Sequence, residues 1–179
     1  MFMQFWDESE GNLFFTSDDH EKLIVRTKNF YDLAIPSGNS VAAGNLLRLY
    51  HYTQNNDYLQ KAENIMKAGA RPASENPFGF GQMLIAIYLY VKKPVEVTFI
   101  RSSVDSGLAR WLNHHFLPDG INAIITGNEM RSLQEYSYFK GRAGDREETA
   151  FVCRNFTCSL PIKSQNELAK QLGITPRPS

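Results

Sequence analysis

The chain has 179 residues, of which 42% are hydrophobic, 21% charged and 12% aromatic, the make-up of a globular protein able to bury a core. Nineteen Lys plus Arg balance 19 Asp plus Glu, so there is no net charge, which argues against a basic nucleic-acid surface and a polybasic membrane anchor. No run approaches the roughly 18 apolar residues of a membrane span. The opening Met1-Phe2-Met3-Gln4-Phe5 also lacks the charged-then-apolar pattern of a signal peptide, so a cytoplasmic location is expected.

The neutrality is uneven. Residues 1–35 hold seven acids (Asp7, Glu8, Glu10, Asp18, Asp19, Glu21, Asp32) against three bases (Lys22, Arg26, Lys28), a net of −4 that leaves the remainder at +4. Within this stretch the aromatics Phe2, Phe5, Trp6, Phe14 and Phe15 alternate with the turn formers Gly11-Asn12 and Ser17-Asp18-Asp19, which predicts a long ordered loop or short hairpin and not a helix. Loops of that length in a compact domain are usually functional or belong to something larger.

At Pro36-Ser37-Gly38-Asn39-Ser40 the period changes. This turn ends in an N-cap at Ser40, and Val41 to Thr53 follows as a helix with Ala43, Leu46, Leu47 and Tyr50 on one stripe. Asn55-Asn56-Asp57 breaks the chain. Asp57 caps a second helix from Tyr58 to about Ala68, striped by Leu59, Ala62, Ile65 and Met66, with Gly69 as its stop. Phe78 to Lys92 is apolar nearly all round and predicts a helix buried on most of its surface. Residues 40–92 thus read as an antiparallel helix array.

After Pro94 the pattern is α/β. Val95 to Ile100 predicts a strand, Val104 to Phe116 a helix and Ile121 to Thr126 a second strand, reached through the Pro118-Asp119-Gly120 turn. The polar segment from Gly127 to Glu148 has no clear period. Ala150 to Phe156 predicts a third strand, Ser164-Gln165-Asn166-Glu167 is a capping box for a last helix stopping at Gly173, and Pro176 and Pro178 mark a frayed tail. The expectation is a mainly α protein with a small α/β ending: a long loop and helices over 1–93, then a β-α-β-β-α segment over 94–179.

Three groups of motifs resemble a known family. Phe5-Trp6-Asp7 with Gly11 and Phe14-Phe15-Thr16, Ser17-Asp18-Asp19-His20-Glu21 with Arg26 and Lys28, and Asp32-Leu33-Ala34-Ile35-Pro36-Ser37-Gly38-Asn39-Ser40 look like the C-terminal half of the thioredoxin-domain-containing, spermatogenesis-associated proteins. Phe80-Gly81-Gln82-Met83 matches a further segment, and Phe151-Val152-Cys153-Arg154-Asn155-Phe156-Thr157-Cys158-Ser159-Leu160-Pro161 resembles that family's ending. The resemblance implies a fragment: the last helices and cleft loop of an α/α toroid similar to the N-acylglucosamine 2-epimerases and six-hairpin glycosidases, then the small α/β segment. The thioredoxin-like part and the early toroid helices are missing.

The resemblance would place the acidic loop and the Pro36–Asn39 turn at the toroid cleft. There Asp19, Asp32 and His20 are the candidate catalytic groups, since paired carboxylates serve glycoside chemistry and histidine exchanges protons near neutral pH. Asp7, Arg26, Lys28, Ser37, Asn39 and Gln82 are the candidate substrate-binding residues, Ser37 and Asn39 because a helix N-terminus offers free N–H groups. The expected ligand is a sugar or sugar-derived small molecule. No metal site and no cofactor are expected, since Asp18-Asp19-His20 are adjacent residues that rarely converge on one ion. Pro36-Ser37 stands where an epimerase-like histidine would be sought, a departure that argues against 2-epimerase activity.

Cys153 and Cys158 allow a redox reading. Five residues of extended strand span about 16 Å, against the about 7 Å Cα limit of a disulfide, so a bridge needs a bend at Asn155-Phe156. Reduced, buried thiols are the expectation. Three functions follow: part of a carbohydrate-active-like cleft not competent alone, a structural module that completes a larger protein or self-associates, and a thiol redox role.

Overall fold

The computed structural model describes residues 1–21, 25–101, 107–142 and 148–174. The chain divides into two compact units, Met1–Lys92 and Lys93–Ser179. About half of the described residues are helical, and the strands form a two-stranded hairpin and one small mixed sheet.

In the helical unit the first residues form a single helical turn, α1 (Phe2–Phe5), then a short antiparallel hairpin of β1 (Trp6–Asp7) and β2 (Asn12–Leu13). The turn closes at Gly11, whose φ of +67° suits glycine, and a Cβ there would lie 2.9 Å from Asn64 Nδ2. Helix α2 (Gly38–Thr53) starts earlier than the pattern predicts. Its N-cap is Ser37, whose hydroxyl accepts from the Ser40 N–H at 3.1 Å, while Ser40 itself is buried inside the first turn.

Helix α3 (Asn56–Glu75) is capped by Asn55, which accepts from the Asp57 N–H at 2.9 Å, so Asp57 lies inside the first turn. The expected stop at Gly69 does not occur: the helix runs through it and through Pro72 to Glu75. Gly69 is a point of close approach, since a Cβ there would sit 2.8 Å from Met83 Cε. A 3-10 turn (Pro77–Gly79) leads into α4 (Gly81–Lys92). Ala42, Ala43, Leu46 and Leu47 of α2, Ala62, Ile65 and Met66 of α3, and Met83, Ala86 and Leu89 of α4 share one core. Each fully buried Leu, Ile or Met there contributes about 1.5–3 kcal/mol. The prediction that α4 is buried on most of its surface fails, because α2 and α3 cover one side and Leu84, Ile85, Tyr88 and Val91 are exposed.

The α/β unit contains β3 (Val95–Arg101), α5 (Gly107–Asn113), β4 (Gly120–Thr126), α6 (Gly127–Ser132), β5 (Thr149–Arg154), β6 (Thr157–Cys158) and α7 (Gln165–Leu172). Helix α6, opened by a capping box between Thr126 and Glu129, and strand β6 are additions to the expected β-α-β-β-α order. The sheet order is β4-β3-β5-β6, with β3 and β4 parallel and the other pairs antiparallel. Val104, the expected start of α5, and the tail prolines Pro176 and Pro178 lie outside the described residues. Helix α7 keeps its predicted cap, Ser164, and its predicted stop, Gly173 at φ +68°.

Being central, β3 is covered on both faces. Val97 and Phe99 join Ala150, Val152, Leu108, Leu112 and Leu168 in an apolar core. The alternate residues Glu96 and Thr98 point to the other face, where Cys153 stands opposite Glu96 in the ladder.

Candidate functional site

The N-terminal ends of α2 and α4 are drawn together by one side chain. Asp32 Oδ1 accepts from the Ser37 N–H at 2.8 Å and Oδ2 accepts from the Met83 N–H at 3.0 Å. Both donors belong to the set a helix start leaves unsatisfied, so an acid is the residue type that fits there. Next to it, the Asp32 N–H donates to Gly79 O at 2.7 Å, and the Tyr31 ring lies edge-on to Phe80 at 5.2 Å between centroids. Tyr31 and Asp32 thereby clamp the connection from α3 to α4.

Asn39 makes the second clamp. Buried at the start of α2, it accepts from the Leu13 N–H at 2.8 Å and donates to Leu13 O at 2.9 Å and Asn29 O at 3.0 Å. Its amide replaces a strand partner for β2 and pins the N-terminal segment to α2. Ser37, the N-cap, has its hydroxyl 2.7 Å from that of Ser40.

Lys28 forms an ion pair with Asp7 and a second with Glu10 at 2.6 Å. The Lys28 hydrogen bond, with those from the Ser9 hydroxyl and N–H, holds the Asp7 carboxyl far below the usual carboxylate range. Burial acts to lower the Lys28 pKa, but its bonds to Asp7 and Glu10 outweigh that and raise it. Arg26 donates to Gln4 O at 3.0 Å and Thr16 O at 2.6 Å and lies 4.1 Å over the Phe14 ring centroid.

Of the residues nominated from sequence, then, Asp7 pairs with Lys28, while Asp32, Ser37 and Asn39 gather at the start of α2. Asp19 is exposed and accepts from Gln4 Nε2 at 3.1 Å, and His20 is exposed. Among the described residues no hydrogen bond or ion pair links Asp19 or His20 to Asp32. Gln82, half-buried in the first turn of α4, lies against α2 at Gly44. No group of three or more His, Cys, Asp or Glu among the described residues is placed to hold a metal ion.

Cys153 and Cys158 depart from expectation, for they are joined in a disulfide with Cα atoms 3.9 Å apart. The strand expected to run to Phe156 ends at Arg154. Asn155 and Phe156 both adopt left-handed conformations, φ 50° and 61°, giving a two-residue hairpin turn that sets Cys153 opposite Cys158. The expectation of reduced thiols rests on an extended strand through Asn155-Phe156, and the bend there removes that premise. Two residues that sequence reasoning passed over also belong to this region. Arg142, buried, pairs with buried Glu96 at 3.1 Å and reaches Cys153 Sγ at 3.0 Å. The available signal was Glu96 itself, an acid inside an otherwise apolar strand.

The geometry defines a helical unit with a braced end and a sheet unit with a charged, sulfur-bearing face, and a relative spans both. The chain is 30% identical over 175 residues to spermatogenesis-associated protein 20 of Homo sapiens, a match covering 94% of this chain and 22% of that protein. It is 27% identical over 176 residues to the Rattus norvegicus protein of the same name, covering 94% and 22%. An uncharacterised protein of Caenorhabditis elegans is 27% identical over 172 residues, covering 93% and 23%. The chain therefore spans less than a quarter of the length of the curated relatives it matches. No family model matches it. No helix among the described residues is long and apolar enough to cross a membrane.

Proposed function

We propose that the chain corresponds to the C-terminal part of a protein like spermatogenesis-associated protein 20, and that α2–α4 complete a carbohydrate-active-like α/α toroid of which this chain supplies one wall. The observation that supports this reading is the outer face of α4. Leu84, Tyr88 and Val91 recur at helical spacing with 38%, 44% and 69% exposure, beside Ile85 at 51%, on a helix whose other side is packed. An apolar stripe of this kind marks a surface that another element covers. The remaining helices of the toroid are the occupant to which we commit, given how much of the relatives' length lies outside the match.

In this reading the braced ends of α2 and α4 form the cleft rim. Asp32, Ser37 and Asn39 spend their hydrogen bonds on backbone and fix that rim. Asp19, His20 and Gln82 are left to meet the hydroxyls of a sugar or sugar-derived ligand. Alone, the chain contributes half a site and is not catalytically competent.

Size-exclusion chromatography with light scattering, together with an apolar fluorescent dye, tests the proposal. The chain alone should self-associate or bind dye, and Leu84→Glu with Tyr88→Glu should abolish both while preserving the circular dichroism spectrum. A monodisperse monomer that binds no dye would overturn the proposal.

A further inference from the structure

The two sulfurs of the α/β unit are unequal. Cys153 is fully buried on the sheet face that carries Glu96 and Thr98, whereas Cys158 is exposed on the two-residue edge strand β6. Arg142 connects the buried sulfur to that polar face. Its Nη2 donates to Cys153 Sγ at 3.0 Å and to Glu96 Oε2 at 3.1 Å, and its Nη1 donates to Thr98. The guanidinium lies 4.1 Å over the Tyr138 ring centroid, and its Nε–H has no acceptor among the described residues. Tyr138 is fixed in turn by its hydroxyl, which donates to Val97 O at 3.1 Å and Ile121 O at 3.0 Å.

We propose that Cys153–Cys158 is a thiol–disulfide exchange site of fixed polarity, in which an external thiolate attacks Cys158 and Cys153 departs as a thiolate held by Arg142. The incoming sulfur, from a low-molecular-weight thiol, bonds to Cys158 Sγ. The Cys153–Cys158 bond breaks and its electron pair stays on Cys153. A second thiolate then attacks the incoming sulfur of the mixed disulfide and Cys158 leaves, taking a proton from solvent. The protein disulfide is reduced, and two external thiols are oxidised to one disulfide. The reverse sequence oxidises the protein.

Access and leaving-group stability both set this direction. Attack requires an exposed sulfur, and an open groove of about 360 Å³ lined by Arg154, Thr157, Cys158, Glu167 and Gln171 among others lies beside Cys158. A sulfur leaves faster when its thiolate is better stabilised, and a cation within hydrogen-bond distance stabilises it. Burial and the neighbouring Glu96 carboxylate oppose that effect, so Arg142 is the group on which it depends. A cross-link closing so short a loop removes less chain entropy from the unfolded state than one closing a long loop, which leaves room for a role beyond the structural one.

The test treats the oxidised full chain with substoichiometric glutathione, quenches with acid, alkylates the free thiols and maps the peptides. The adduct should sit on Cys158 with Cys153 free. An adduct on Cys153, an equal mixture, or no reduction of the folded chain by millimolar glutathione would refute the proposal, the last leaving a structural cross-link only. Two variants add a signed readout: Arg142→Met should slow exchange roughly fivefold, and Glu96→Gln should speed it, since the arginine is then free to serve the thiolate. If both variants speed exchange, reduction proceeds through unfolding and the assignment fails. Should Arg142→Met not fold, the wild-type adduct map decides.

Discussion

In the helical unit the polar side chains sit at the rim, where Asp32, Ser37 and Asn39 satisfy backbone groups around a wholly apolar core. In the α/β unit an ion pair lies under the sheet itself, with Arg142 and Glu96 5% and 2% exposed. The two placements of polar groups thus have opposite consequences. A polar clamp on a backbone N–H replaces water with a protein acceptor and changes net stability by about 0.5–1.5 kcal/mol per bond. A buried pair contributes little as a pair, yet removing one partner strands the other at low dielectric. The helical unit should therefore tolerate damage in small steps, while the α/β unit should fail abruptly.

The largest expected effect tests that abruptness. Arg142→Leu should destabilise the α/β unit by about 3–5 kcal/mol, because Glu96 stays buried after losing the guanidinium that pairs with it. Urea unfolding can be read separately in each unit, because Trp6 lies in one and Trp111 in the other. A Trp6→Phe background reports on the sheet, and an equal loss seen from Trp6 in the helical unit would end the comparison.

Asn39→Ala comes next, at about 2–3 kcal/mol, since the Leu13 N–H and the Leu13 and Asn29 carbonyls lose their partner together. Hydrogen exchange at the Leu13 amide should accelerate strongly, while amides of β3 keep their protection. Unchanged exchange at Leu13 would show that the clamp is idle.

Acid provides the finest probe. Because Lys28 and Ser9 depress the Asp7 pKa in the folded chain, this contribution is complete above the unfolded-state value of about 3.9. It declines as pH falls below that and is gone once the folded-state carboxyl is protonated. Trp6 fluorescence in a Trp111→Phe background should show the helical unit losing stability below about pH 4. Asp7→Asn should flatten that part of the profile. A profile identical to that of the parent chain would remove the Asp7–Lys28 pair as its cause.

Much of the element order was legible because caps and periods are local. Ser164 and Gly173 bound α7 as read, and the apolar stripe of α2 appears in its core face. The misreadings have two physical origins, a distant partner and a local turn whose residues carry a weak signal. Gly69 looks like a helix stop until Met83 is seen against it, and Asn155-Phe156 looks like strand until the turn is seen. Helix α6 escaped because Gly127–Ser132 is too short for a period, although Thr126 and Glu129 carry its capping pattern. At the candidate site, residue types announced polarity but not allegiance. Asp32 reads equally well as a reactive acid or a brace, and only the positions of the Ser37 and Met83 amides show the bracing. Arg142 was invisible, since it lies in the segment between α6 and β5 and its partners Glu96 and Cys153 are 46 and 11 residues away on β3 and β5.

Asp32 also settles the local charge account at its end of the molecule. Each helix N-terminus carries the equivalent of about half a positive charge, and one carboxylate set between α2 and α4 meets two of them. The fields of the two helices are quenched where they would otherwise project outward. The helix-start N–H groups of Ser37 and Met83 are thus already spent on a charge the chain carries itself, and little of either helix's field is left to draw a further anion there.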